Sequence, residues 1–272
     1  MVFLREWSPW GPIGICAVYL LFCYLGTLYM KNRKAYGLNR ALMLWNFALA
    51  MFSLMGALRT VPHLANVIAL KGYKYTITEQ GRDWVGGGAV GFWAQMFVFS
   101  KIPELGDTVF IVLRKRPLIF LHWYHHVTVL LYCWHSYYNE AAYGLYFAAM
   151  NYSVHAVMYL YYALAALRIR LCKPYYVTTL QISQMFVGIA VCCSCWIYYK
   201  KGYGEHIKEG NLWAGAIMYA SYAFLFLQYA ISRFIKKVMS KEDGAVTMNG
   251  NGRKAAATNG TTNGTKAGSK QD

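Results

Sequence analysis

Three histidines, His122, His125 and His126, stand in an H-x-x-H-H pattern a few residues into an apolar run long enough to cross a bilayer. Hydrocarbon offers an ionisable group no water, so such groups at membrane depth are functional candidates. On a helix the three side chains fall within about 100° of arc and converge on one face. A lone buried imidazole is more often a satisfied core residue than a catalyst. Three on one face, with Lys101, Glu104 and Asp107 one apolar run earlier and His155 one run later, argue for a reaction site. Histidine serves as metal ligand, acid–base or nucleophile, and the pattern alone leaves these open.

The elements that must position these residues follow from composition. Of 272 residues 57% are hydrophobic and 14% charged, too apolar for an ordinary soluble domain. The sequence predicts an all-α integral membrane protein with seven spans, near residues 11–30, 41–58, 88–113, 118–138, 142–167, 175–199 and 211–235. Segment 59–87, where Pro62, His63 and Asn66 interrupt a short apolar stretch, reads as a lumenal loop. A seven-span membrane domain is expected over 1–239. From about Ser240 the composition turns to Gly, Asn, Thr, Ala and Lys, which predicts a disordered cytosolic tail over 240–272. Asn259 and Asn263 begin N-G-T sequons there and should stay unmodified.

The formal charge of +16 could suggest nucleic acid, but its distribution excludes that reading. Lys31, Arg33, Lys34 and Arg40 follow span one; Arg114, Lys115 and Arg116 follow span three; Arg168, Arg170 and Lys173 follow span five; Arg233, Lys236 and Lys237 close span seven. These clusters contain no acid, whereas the basic residues of the opposite loops are mixed with acids. The positive-inside rule then makes all four clusters cytosolic and the N-terminus lumenal. The seven cysteines show neither metal spacing nor a disulfide framework.

Counting inward from the basic clusters, Lys101, His125, His155, Gln181 and Gln184 all lie roughly 12 to 20 Å deep. Four spans thus place polar side chains in one layer, as a buried chamber open to the cytosol would require. Glu104 and Asp107 are the only acids inside predicted spans; with Lys101 they form either a self-neutralising network or part of the site. Asn151, His155, Met158, Tyr159 and Tyr162 share one helix face, and Thr178, Gln181 and Gln184 continue the layer. A di-iron desaturase site would need more histidines than the five within spans; a single metal stays open, and no serine or cysteine has a nucleophile elbow. A seven-span receptor or channel would suit the basic loops but leaves the polar layer unexplained.

Four ordered blocks, K-I-P-E-L-G-D-T (Lys101 to Thr108), H-W-Y-H-H (His122 to His126), H-A-V-M-Y-L-Y-Y (His155 to Tyr162) and T-T-L-Q-I-S-Q (Thr178 to Gln184), resemble the signatures of the ELO family of fatty acid elongases. Trp123 resembles the branch acting on saturated and monounsaturated chains. The resemblance implies that spans two to seven form a six-helix barrel around an acyl tunnel in the endoplasmic reticulum membrane, with no cofactor and no metal. It implies condensation of a long-chain acyl-CoA with malonyl-CoA to 3-ketoacyl-CoA, CO2 and CoA. His125 would be the nucleophile carrying an acyl-imidazole, His155 a partner in handling malonyl-CoA, and His122 and His126 would orient or polarise the site. Asn151 would lie against product; Lys101, Glu104, Asp107, Tyr159, Thr178 and Gln181 would complete the substrate site. Arg114, Arg116 and Lys173 at the cytosolic mouth are natural partners for CoA phosphates. The reductases and dehydratase of the elongation cycle are the implied partners, with a homodimer left open. Tyr143, Phe147 and Trp196 are the expected stops for the end of the acyl chain.

Overall fold

The structure, a computed structural model, describes residues 10–169 and 171–258, with side chains described up to residue 233. It is built of helices, with no strand among the described residues. Helix α1 spans Trp10–Met30, α2 Asn39–Thr78, α3 Gly81–Trp84, α4 Gly88–Glu104, α5 Gly106–Leu113, α6 Phe120–Tyr138, α7 Gly144–Ala166, α8 Pro174–Lys200 and α9 Glu209–Thr258. By length and composition α1, α2, α8 and Glu209–Arg233 of α9 can each cross a membrane. The helices that carry the polar layer are shorter or less apolar: α4 has 17 residues, α6 carries four histidines, and α7 holds Asn151, His155 and five tyrosines.

Two expectations need correction. Segment 59–87 is not a loop, because α2 continues through Pro62 to Thr78 and α3 follows at Gly81. Backbone groups in an apolar setting must be satisfied within the chain, so helix continues where propensity alone would end it. The bend comes later, at Gly72, whose φ of 82° and ψ of 160° interrupt the helical geometry. The run 88–113 is also not one helix: α4 and α5 meet at Leu105, between Pro103 and Gly106, where proline removes a backbone donor.

The chain divides into a unit ending at Phe226 and a second beginning at Leu227. In the first, α2 and α7 share the most extensive helix pairing, and α4 packs on α6. Glycines admit aromatic rings between helices: a Cβ on Gly56 would lie 2.6 Å from the Tyr152 ring, and one on Gly188 2.5 Å from Tyr219. Tyr152 is 2% exposed and meets Phe52, Trp93 and Phe97 edge-on. In the second unit, the Arg233 guanidinium lies over Tyr229 and its Nε donates to the Tyr229 hydroxyl at 3.1 Å. The α9 backbone remains helical past residue 240, where the composition predicts a disordered tail; each added turn of an existing helix needs no new nucleus. Residues 259–272, with both sequons, lie outside the described residues.

Candidate functional site

The ion-paired half of the site grows from α4 and α7. Positions 101 and 104 are one helical turn apart, so Lys101 Nζ donates to both carboxylate oxygens of Glu104, at 2.7 and 3.0 Å. A third bond, at 3.0 Å, goes to Asn151 Oδ1 on α7. Ser100 Oγ also donates to Glu104 Oε1 at 3.0 Å. Lys101 and Glu104 are buried, and a charge pair so placed needs all these bonds to offset its lost hydration.

This network assigns the protons of His155. Lysine has donors only, so it takes the amide oxygen of Asn151 and turns Nδ2 towards His155. Asn151 Nδ2 then donates to His155 Nε2 at 3.1 Å, which makes Nε2 an acceptor. The proton of a neutral ring sits on Nδ1, which faces Glu104 Oε1 at 3.8 Å. That distance is too long for a hydrogen bond. His155 is thereby held in one orientation and one tautomer, with its Nε2 lone pair taken up by Asn151. One turn along α7, Tyr159 meets the His155 ring at 88° and donates to Asp107 Oδ2 at 2.8 Å; Trp45 Nε1 donates to the other oxygen at 2.7 Å.

Of the three clustered histidines, one faces the interior cavity. His122 Nε2 is bonded to Thr108 Oγ1 at 2.9 Å, and Thr108 to the Tyr19 hydroxyl at 2.8 Å. The His126 ring stands against both neighbours, 4.5 Å from His122 and 5.6 Å from His125. His125 lines a cavity of 570 Å³ together with Asn151, Gln184 and Tyr222. Its Nδ1 is buried with no hydrogen-bond partner among the described residues. The same cavity continues past Val98, Val129, Cys133, Phe147 and Ala148, an apolar path that begins at an imidazole.

The sequence-predicted residues therefore separate into groups. Lys101, Glu104, Asn151 and His155 form one bonded set, and Asp107 with Tyr159 adjoins it. Thr178 bonds the Pro174 carbonyl, and Gln181 donates to Met158 Sδ at 3.1 Å; neither lines the cavity, whereas Gln184 does. Arg114 is half-buried and donates to Asn39 Oδ1 at 2.8 Å, while Arg116 and Lys173 are exposed. Phe147 lines the cavity; Tyr143 packs on Phe147 and Trp196 stacks on Tyr199, outside the lining. Sequence reasoning missed Tyr222, whose ring lies 4.7 Å from His125 and whose hydroxyl donates to the His125 carbonyl at 3.1 Å. Its spacing from Tyr219 was a usable signal, but a tyrosine stripe is also ordinary packing. Among the described residues no three His, Cys, Asp or Glu side chains are placed to hold a metal ion, so the donor set of a desaturase is not assembled there.

The family model described as ELO: GNS1/SUR4 family matches residues 5–242. The chain is similar to very long chain fatty acid elongase 6 of Homo sapiens, 43% identical over 226 residues, 82% of this chain and 83% of that one. It is similar to very long chain fatty acid elongase 3 of Homo sapiens, 40% identical over 242 residues and 88% of either chain. Fatty acid elongase 3 of Trypanosoma brucei brucei is 39% identical over 273 aligned positions, 89% of each.

Proposed function

The chain belongs to the ELO (GNS1/SUR4) family, and on that premise we propose that it catalyses the condensing step of fatty acid elongation with His125 as the acyl carrier. The protein is a fatty acid elongase, a 3-ketoacyl-CoA synthase whose substrates are acyl-CoA and malonyl-CoA. The observation that carries the role of His125 is its place at the head of an apolar cavity with Nδ1 unpartnered. A neutral imidazole nitrogen that no protein group engages is a competent nucleophile. It attacks the thioester carbonyl, the C–S bond breaks, and the CoA thiolate takes the remaining ring N–H proton and leaves as the thiol. Malonyl-CoA then loses CO2, and the resulting enolate attacks the acyl-imidazole carbonyl. The new C–C bond forms as the C–N bond breaks, and the departing ring takes up one proton from water, which returns neutral His125 and releases 3-ketoacyl-CoA.

The other assignments follow the same geometry. His155, whose ring is fixed by Asn151 and packed against Tyr159, is the partner in handling malonyl-CoA. His122 and His126 hold His125 in place. For the membrane arrangement we take α1, α2, α4 with α5, α6, α7, α8 and α9 as seven spans, the last six as a barrel, and the membrane domain as 1–239. What supports this is that the helices too short or too polar to count as spans by length and composition are those whose polar residues bond to one another, Lys101 to Asn151, Asp107 to Tyr159 and Thr108 to His122. The clean basic clusters favour a lumenal N-terminus and a cytosolic mouth at Arg114, Arg116 and Lys173, in the endoplasmic reticulum membrane. A saturated or monounsaturated substrate, the elongation-cycle reductases and dehydratase as partners, and a homodimer complete this reading.

The nucleophile is tested by incubating purified protein with acyl-CoA alone. Intact-mass spectrometry should find one acyl adduct, absent in His125→Ala, which should also lose condensation while still binding acyl-CoA. Wild-type turnover in that variant removes His125 from the mechanism.

A further inference from the structure

The far end of the His125 cavity is polar, although its middle is not. Gly81 and Arg82 line it on one side and Ser136, Tyr137 and Glu140 on the other. Arg82 Nη2 donates to Glu140 Oε1 at 2.7 Å, and Gln80 Nε2 to Oε2 at 3.3 Å. Side-chain exposure is 54% for Arg82 but 12% for Glu140, so the pair has a wet side and a buried one. Ser136 Oγ accepts from Asn211 Nδ2 at 3.4 Å, and Asn211 is fixed by Tyr143 and His135. The closure is built by the backbone: a Cβ on Gly81 would lie 2.7 Å from the Glu140 carbonyl oxygen, so only glycine lets the two turns touch. Glu140 itself sits at φ 51°, a strained conformation for a side-chain-bearing residue.

From this arrangement, and resting on the elongase reading, we propose that the Ser136–Glu140–Arg82 end is a recognition subsite for a hydroxyl at the distal end of the acyl chain, so that ω-hydroxyacyl-CoA of matching length is a substrate. Ser136 lies eleven positions beyond His125 on α6, a rise of roughly 17 Å, and Glu140 lies just past the end of that helix at Tyr138, a span that an extended chain of about 13 to 16 carbons covers. A hydroxyl stopped short of that distance lies among Val98, Val129, Phe147 and Ala148, where it loses water and meets no carboxylate; the Tyr132 hydroxyl at this level is buried against Gly215. One that reaches the end meets a carboxylate and a serine oxygen. A methyl end gains nothing from either group. Chain length therefore decides whether the hydroxyl is penalised.

The test uses the purified full chain, malonyl-CoA, and two series of saturated acyl-CoA of about 10 to 20 carbons, methyl-ended and ω-hydroxyl-ended, which bracket the helical distance. The readout is the ratio of kcat/KM between the two at each length. The ratio should fall roughly 10- to 100-fold against the hydroxyl for short chains and return to within about threefold near 13 to 16 carbons. In Arg82→Leu/Glu140→Leu, which removes both charges together, the ratio at matching length should drop about tenfold, and taking a ratio within one preparation cancels any loss of folded protein. A ratio that stays low at every length, or is unmoved by the double variant, overturns the proposal and leaves a water-filled stop. Failure to extend even methyl-ended chains would instead sink the elongase reading.

Discussion

Replacing Lys101 by Met separates the structural work of the buried ion pair from its chemical work. The substitution keeps most of the side-chain volume but leaves Glu104, 6% exposed, with only Ser100 among its present close donors. Breaking one partner of a buried pair costs about 3–5 kcal/mol, because an uncompensated charge remains in low dielectric. For a chain of this size that corresponds to a fall in Tm of about 6–20 °C. Adding Glu104→Gln removes the stranded charge, so Lys101→Met/Glu104→Gln should regain all but about 1 kcal/mol. Activity should not recover with it. Without Lys101 the Asn151 amide is free to turn its oxygen towards His155 Nε2, and the ring loses its fixed acceptor nitrogen. Thermal unfolding in detergent, read beside malonyl-CoA condensation, measures both quantities. If the double variant is as unstable as Lys101→Met, the stranded carboxylate is not the cause, and if its activity returns with its stability, Asn151 orientation has no part in the reaction.

Other outcomes follow from the same contacts. Replacing Arg114 and Arg116 with Gln should raise the apparent KM for both CoA substrates more than it lowers kcat, the pattern of lost uniform binding; unchanged KM values would reduce these residues to topology signals. Phe147→Ala should raise the kcat/KM of a mid-chain cis-monounsaturated acyl-CoA relative to the saturated one of equal length, since that ring lines the apolar middle of the cavity; an unchanged ratio would place the chain elsewhere. Gly56→Ala puts a methyl 2.6 Å from the Tyr152 ring, which its aromatic neighbours hold, and should cost about 1–3 kcal/mol by thermal unfolding; Tyr152→Leu in the same chain should restore part of it.

How much of this protein is legible in its residues depends on the range of the interaction. Apolar runs, helix-period spacing and the basic clusters are local properties, so the all-helical class and the polar positions on α4, α6 and α7 could be read directly. Lys101 and Glu104 could be paired from their spacing alone. The continuation of α2 through Pro62 could not, since local propensity speaks against a helix that surroundings without water require. Spacing does not distinguish His125 from His122 and His126, and apart from its place in a motif resembling the family's, only packing against Thr108 on one side and Tyr222 on the other leaves one of the three open to the cavity. The Asn151 bond to Lys101, 50 positions away, and the Arg82–Glu140 closure, 58 positions apart, are likewise decided by which helices meet. Residue type and spacing determine what chemistry each helix can offer, but a partner is chosen in three dimensions, where burial makes an unpaired polar group costly enough that the fold must find it one.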